Sequence, residues 1–247
     1  MDALLVGAAS GMKARIESLE IVANNLANEN SAGYKMDREA YRLYQAAEAA
    51  EGTDPDALPY PPVVPVIERH WTDYTQGVLS ETNNPAHIAI QGEGFLTAAG
   101  PSGTLLTRNG ALRLSASGGL ETADGFAVLD DRGQPVRLLG DQPFVISELG
   151  EIRQQGTVVA RLGVVSFPDR SSLQKREGTY FAAPAEASAQ PFTGRLLQGR
   201  LEKSNGAPAE SAVRIVTILR EFEMLQRAIL IGGEMGKKSD EVARVNP

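Results

Sequence analysis

The chain has 247 residues, with 24 Lys or Arg, 31 Asp or Glu and no cysteine. The net charge of −7 argues against a nucleic-acid-binding protein, because affinity for phosphates comes from clustered Lys and Arg. The absence of cysteine excludes disulfide frameworks, zinc ribbons and thiol catalysis, and two histidines, His70 and His87, leave little for a metal site or a Ser–His triad.

The N-terminal segment, MDALLVGAASGMKAR, predicts an amphipathic helix. An acidic residue at position 2 and the absence of a basic leader do not fit a secretory signal, so we expect no cleaved signal peptide. Apolar or small residues then recur at alternating steps of four and three, which is a heptad spacing. We call this set the α1 seam: Leu5, Ala9, Met12, Ile16, Leu19, Ala23 and Leu26.

The opposite face of this helix is small, uncharged and rich in amides. It ends in the stretch ANNLANENSAGYK, from Ala23 to Lys35, and carries Asn24, Asn25 and Asn28. A helix that faces water normally carries charges on that side. We therefore expect protein to cover both faces: another helix on the seam, and neighbouring chains on the asparagine face.

The middle of the chain predicts an antiparallel β domain that follows a linker. Five prolines lie between Ala46 and Pro65, which favours an extended connection. Seventeen of the 25 glycines lie between Gly92 and Gly206, among short β-type runs. Pairs such as Asn109-Gly110 and Asp124-Gly125 are typical of hairpin turns.

The C-terminal segment predicts a second helix. Pro208 fits its first turn, with Ser204 or Asn205 as candidate N-caps. Its heptad positions, the α2 seam, are Ile215, Ile218, Phe222, Leu225 and Ile229. Further apolar residues make the stripe too wide for one two-helix contact: Val216, Leu219, Met224, Leu230 and Ile231.

These elements predict an α+β fold in which the two terminal heptad helices form a coiled-coil-like domain beside a central antiparallel β domain. The expected ranges are 1–35 for the N-terminal helix, 36–82 for the linker, 83–200 for the β domain and 201–247 for the C-terminal helix. The alternative is that both helices pack on each other in one globular core.

No motif indicates catalysis or a cofactor. Gly92-Glu93-Gly94 lacks the third glycine of a dinucleotide fingerprint, and Gly236-Lys237-Lys238-Ser239 places a lysine where a phosphate loop needs Ser or Thr. We expect neither an enzyme nor a bound cofactor, metal or small-molecule substrate. A secreted carbohydrate-binding β module is a rival hypothesis, but it needs exposed aromatic side chains, and aromatics are only 6% of the chain.

Five motifs together resemble the bacterial flagellar axial proteins, which are the rod, hook and hook-associated subunits. Asn-Asn-Leu-Ala-Asn followed by Gly33-Tyr34-Lys35 is similar to the signature at the end of their N-terminal helix. The others are NNPAHIAIQGEGFL from Asn83, TRNGALRLSASGGLETADGFAVL from Thr107, LEKSN from Leu201 and REFEMLQRAI from Arg220. Ala207 departs from the pattern, since relatives usually carry a second asparagine there.

The resemblance implies a structural subunit of the rod, located in the flagellar basal body within the periplasmic space. Its partners would be other proximal and distal rod subunits and the flagellar export apparatus, through which such proteins pass unfolded. The motif REFEMLQRAI and the tail SDEVARV favour a proximal rod subunit of the F type over a distal subunit of the G type.

The expected assembly interface combines both seams with the asparagine face. Uncharged amides can hydrogen-bond to neighbouring subunits without bringing in charges that must be desolvated. The expected interface residues are Leu5, Met12, Ile16, Leu19, Asn24, Asn25, Leu26, Asn28, Gly33, Ile215, Ile218, Phe222, Leu225 and Ile229.

Overall fold

The computed structural model describes residues 2–45, 63–140 and 142–245, without the side chains of 2–6, 43–45, 63–66, 236 and 239–245. The chain forms two compact units. Unit 1 comprises Met1–Leu26, Asp37–Trp71 and Ala207–Pro247, and unit 2 comprises Ala27–Met36 and Thr72–Gly206.

In the residues that the structure describes, the fold consists of two long helices and seventeen strands. The helices are α1 (Asp2–Ala27) and α2 (Pro208–Val245). The strands are β1 (Asp37–Gln45), β2 (Val63–Thr72), β3 (Leu79–Glu81), β4 (Ile88–Gln91), β5 (Phe95–Gly100), β6 (Gly103–Thr107), β7 (Arg113–Leu114), β8 (Leu120–Glu121), β9 (Phe144–Ile146), β10 (Glu151–Gln154), β11 (Thr157–Arg161), β12 (Val164–Ser166), β13 (Gln174–Lys175), β14 (Tyr180–Ala182), β15 (Gln190–Pro191), β16 (Arg195–Gln198) and β17 (Arg200–Glu202).

The predicted α+β class is confirmed. Every strand pair whose register the structure gives is antiparallel, and these pairs lie between the two helices in sequence. None of the helices in the described part of the chain is long and apolar enough to span a membrane.

Unit 1 contains α1, α2 and a two-stranded sheet formed by β1 and β2. These two strands fall in the range 36–82, where the sequence predicts a linker, so the chain divides differently from the predicted ranges. Residues 46–62, which hold four of the five prolines of that range, lie outside the described residues.

Helix α2 begins at Pro208, as the fixed φ of proline at the first helical position favours. The predicted caps, however, have other partners. The Ser204 hydroxyl accepts the amide hydrogen of Gly206 at 3.2 Å, and the Asn205 side-chain oxygen accepts that of Met36 at 2.9 Å. The residue before the helix is Ala207, whose carbonyl accepts the amide of Ser211 at 3.1 Å.

Unit 2 contains the other strands. Its largest sheet has six strands in the order β13-β14-β6-β5-β12-β15, and a second sheet has the order β11-β10-β9. One buried cluster centres on Ile88, Leu120 and Ile152, and another packs the rings of Phe95 and Phe181 together.

Two predicted turns behave differently. Gly125 has φ of 89° and donates to the Thr122 carbonyl at 3.0 Å, so Asp124-Gly125 is a turn as predicted. Asn109-Gly110 is not a two-residue hairpin. A β-carbon at Gly110 would lie 1.6 Å from the carbonyl oxygen of Ile88, so glycine is needed there for a close approach of two backbones.

Candidate assembly site

The buried face of α1 is its small-residue face. The buried positions recur every three or four residues: Ala8, Gly11, Ala14, Ser18, Val22 and Asn25. Ser18 and Asn25 hydrogen-bond to β1, so this face is directed at the chain's own strand. We expected neighbouring chains on the asparagine face, and in the structure two residues of that face, Ser18 and Asn25, contact β1 of the same chain. Small side chains suit a buried contact because they let backbones approach closely.

The α1 seam is the more open side of the helix. Met12, Leu19 and Leu26 are half-buried, and the Ile16 side chain is 48% exposed. The side chain of Leu5 lies outside the described residues. Within this chain, the seam is therefore only partly covered.

Asn25 is bound within its own chain. Its side-chain nitrogen donates to the Asp37 carbonyl at 2.8 Å, and its side-chain oxygen accepts the Asp37 amide hydrogen at 2.9 Å. The Asn25 side chain thus forms the two backbone hydrogen bonds with Asp37 that a neighbouring strand would otherwise form. Asn25 is 5% exposed. Asn24 is exposed and Asn28 is half-buried. Contact of these three amides with a neighbouring subunit stays a prediction.

Glu39 of β1 links α1, β1 and α2, three of the four elements of unit 1. Its Oε1 accepts hydrogen bonds from the Ser18 hydroxyl of α1 at 2.5 Å, from the Tyr41 hydroxyl of β1 at 3.0 Å and from the Arg214 guanidinium of α2. An ion pair joins the two helices directly, with 3.0 Å between Arg15 Nε and a carboxylate oxygen of Glu221. In the described structure, polar contacts therefore link α1 to α2, directly and through Glu39.

The α2 seam is the less exposed side of its helix. Ile218 is buried, whereas Ile215, Phe222, Leu225 and Ile229 are half-buried. The apolar side chains outside this seam are 45–69% exposed: Val213, Val216, Leu219, Met224, Leu230, Ile231 and Met235. Large apolar side chains exposed in this number along one helix make it a candidate interaction surface, because exposed apolar surface costs free energy in water.

Gly33 is required by the fold of unit 2. It adopts φ of 67°, and a β-carbon there would lie 2.3 Å from the backbone carbonyl of Arg108. Its amide donates to the Glu202 carbonyl at 2.7 Å. Gly33 is buried and serves the subunit's own packing. Its expected role at the assembly interface stays a prediction.

Next to Gly33, three charged side chains form a buried triad that sequence reasoning missed. Glu202 is fully buried, with 2.5 Å from its Oε1 to Lys35 Nζ and 2.9 Å from its Oε2 to Arg108 Nε. Burial lowers the pKa of Lys35, and the charge of Glu202 opposes that shift. All three residues lie in the motifs that carry the family resemblance. The sequence signal that could have revealed the triad was a charged residue beside apolar, strand-forming residues.

One cleft of unit 2 has a volume of about 920 Å³ and is lined by Asp124, Phe126, Arg176 and Tyr180, among others. The Tyr180 hydroxyl lies 2.6 Å from an Asp124 carboxylate oxygen, and burial together with this hydrogen bond raises the pKa of Tyr180. Among the residues that the structure describes, no His, Asp and Glu side chains cluster as a metal site would require.

The described surfaces define a class of protein. Apolar side chains left exposed along a helix are typical of a subunit that contacts other chains. Comparisons with known proteins agree. Residues 6–35 match the model of the flagella basal body rod protein family, and residues 89–166 match that of the flagellar hook protein FlgE/F/G D1 domain.

Full-length relatives carry the same names. The chain is 30% identical to the flagellar basal-body rod protein FlgF of Caulobacter vibrioides, over 97% of both chains. It is also 30% identical to the rod protein FlgG of Agrobacterium fabrum, over 95% of this chain and 97% of the relative. The chain belongs to the flagellar basal-body rod proteins, a family of structural components of the flagellum.

Proposed function

We propose that this chain is the F-type, proximal subunit of the flagellar rod. The alignment with the Caulobacter FlgF spans 246 positions, close to the 247 residues of the chain. The alignment with the Agrobacterium FlgG spans 260 positions but covers 95% of this chain, against 97% for the Caulobacter FlgF, so both alignments contain gaps and the FlgG alignment contains more of them. The equal identity to both relatives makes the G-type distal subunit the second candidate.

Assembly through the terminal helices is the mechanism we propose, and the open apolar surface of α2 is the observation that carries it. In a polymer, the exposed side chains of α2 and the α1 seam become buried between subunits, at about 25 cal/mol per Å² of apolar surface. Coiled-coil-like packing of α1 with α2 fits the seam spacing. The binding partners in this proposal are neighbouring rod subunits and the flagellar export apparatus. The site of assembly is the periplasmic part of the basal body.

The proposed interface is a revision of the expected one. Asn25, Gly33 and Ile218 belong to the subunit's own packing. The interface retains Leu5, Met12, Ile16, Leu19, Asn24, Leu26, Asn28, Ile215, Phe222, Leu225 and Ile229. It gains the exposed set Val213, Val216, Leu219, Met224, Leu230, Ile231 and Met235.

Electron microscopy of isolated basal bodies that carry a gold-labelled copy of the protein tests this proposal. We expect one band of label in the part of the rod next to the cytoplasmic membrane. Label in the outer part of the rod would assign the chain to the G type. Purified basal bodies without label, from cells that produce the tagged protein and swim, would refute a rod function for this chain.

A further inference from the structure

We propose that unit 2 contains a clasp that makes its connections to unit 1 share mechanical load. The chain passes between the units at four points, after Leu26, Met36, Trp71 and Gly206. Three segments of unit 2 adjoin the last three of these points: 33–36, 73–77 and 202–206. Side chains from two of these segments tie all three together, in two layers.

The first layer is the amide of Asn205. Its side-chain oxygen accepts the Met36 amide hydrogen at 2.9 Å, and its nitrogen donates to the Asp73 carbonyl at 2.7 Å. The same nitrogen lies 3.2 Å from the Thr75 carbonyl oxygen. The backbone adds a direct bond, from the Asp73 amide to the Met36 carbonyl at 2.8 Å. One side chain of the third segment thus bridges the backbones of the other two.

The second layer is buried charge and joins the same three segments. Lys35 Nζ donates to the Thr75 carbonyl at 2.6 Å and to Glu202 Oε1 at 2.5 Å. Glu202 Oε1 also accepts the Gly77 amide hydrogen at 2.9 Å. The Lys35 and Glu202 side chains are fully buried, so separating them would leave the Lys35 ammonium buried without water or its counter-charge.

The fourth connection is tied in a similar way on the side of unit 1. It follows Leu26, and the neighbouring residue Asn25 holds both backbone groups of Asp37, which is the first residue after Met36. Each of the four covalent connections therefore lies within a few residues of a cross-link to another. A pull on one segment is shared by the others, whereas segments without cross-links can detach one at a time.

This inference rests on the proposed function, because only a subunit of a rotating shaft carries sustained load. The clasp then has a role beyond folding. It keeps the chain segments that connect unit 2 to unit 1 bound to one another while torque passes along the rod. Asn205 is the residue to test, because its uncharged side chain contacts both of the other segments.

Hydrogen exchange on the purified full-length protein tests the geometry of the clasp. Replacing Asn205 with Ala should lower the protection of the Met36 amide about five- to tenfold, the effect of one hydrogen bond. The Gly33 amide donates to the Glu202 carbonyl and should keep its protection. The matched control is Asn30→Ala, which removes an exposed amide. An unchanged Met36 amide, or a general loss of protection in unit 2, would overturn the clasp.

Swimming against load tests its role. Cells with Asn205→Ala should form normal numbers of flagella and rotate them normally in dilute medium. In viscous medium they should lose flagella, while wild-type and Asn30→Ala cells keep them. Wild-type load tolerance, with the variant present in the rod, would refute the clasp alone. Wild-type protein absent from purified basal bodies would refute the proposed function instead. A variant too unstable to enter the rod would show that Asn205 serves folding, which also refutes the clasp.

Discussion

Removing the charge of Lys35 should destabilise unit 2 strongly. Breaking a buried ion pair by removing one partner costs about 3–5 kcal/mol, because the remaining charge is left uncompensated. In Lys35→Met, Glu202 keeps the Arg108 guanidinium and the Gly77 amide, each at 2.9 Å. The expected loss is therefore near the lower limit, about 3 kcal/mol. For a unit of this size, that lowers the melting temperature by about 6–12 °C. Glu202→Leu should cost more, because it leaves two buried cations facing each other.

Thermal unfolding of the purified variants, followed by circular dichroism, measures this effect. The control is Arg200→Gln, which breaks the exposed ion pair with Glu81 and should change stability by at most about 1 kcal/mol. A Lys35→Met protein that melts with the wild type, or a Glu202→Leu protein more stable than Lys35→Met, would refute the reasoning from buried charge.

Four further predictions follow from the described contacts. Gly33→Ala should reduce the yield of folded protein, measured by size-exclusion chromatography, because the new methyl group meets backbone atoms at 2.3 Å. Asn25→Ala should lower stability to urea by about 1–3 kcal/mol, because it leaves two main-chain groups of β1 without their partner. Leu230→Asp should leave the melting temperature unchanged but abolish swimming in soft agar, whereas Val78→Asp, an equally exposed change in unit 2, should preserve it. Burial lowers the pKa of His87, so the unfolded chain binds more protons just below pH 6.5. The melting temperature should therefore fall as the pH drops through that range, and less so in His87→Gln.

Local spacing predicted the elements but not their partners. The heptad spacing predicted both helices, and the glycine-rich turns predicted an antiparallel β region between them. The buried face of α1 could not be chosen in this way, because a seam of larger apolar residues and a face of small residues both fit a buried contact. Which one the chain covers depends on β1, where Glu39 and Asp37 hold Ser18 and Asn25.

The buried triad was beyond prediction for a different reason. Lys35 and Glu202 are separated by 167 residues, and no periodic pattern connects positions so distant in the sequence. A charged residue in a sequence is normally assigned to the surface, since isolated charges are costly to bury. Only the fold shows that Lys35, Arg108 and Glu202 compensate one another.

Assembly through the helices is the central claim, and photo-crosslinking in living cells tests it most directly. A benzophenone amino acid at position 230, where the Leu230 side chain is 69% exposed, should give covalent adducts with rod subunits when motile cells are irradiated. The adducts should disappear in cells whose flagellar export is blocked, because no rod then forms. The same amino acid at position 78 serves as the control in unit 2. Basal bodies that contain the position-230 protein but give no adducts with any rod subunit would contradict the claim.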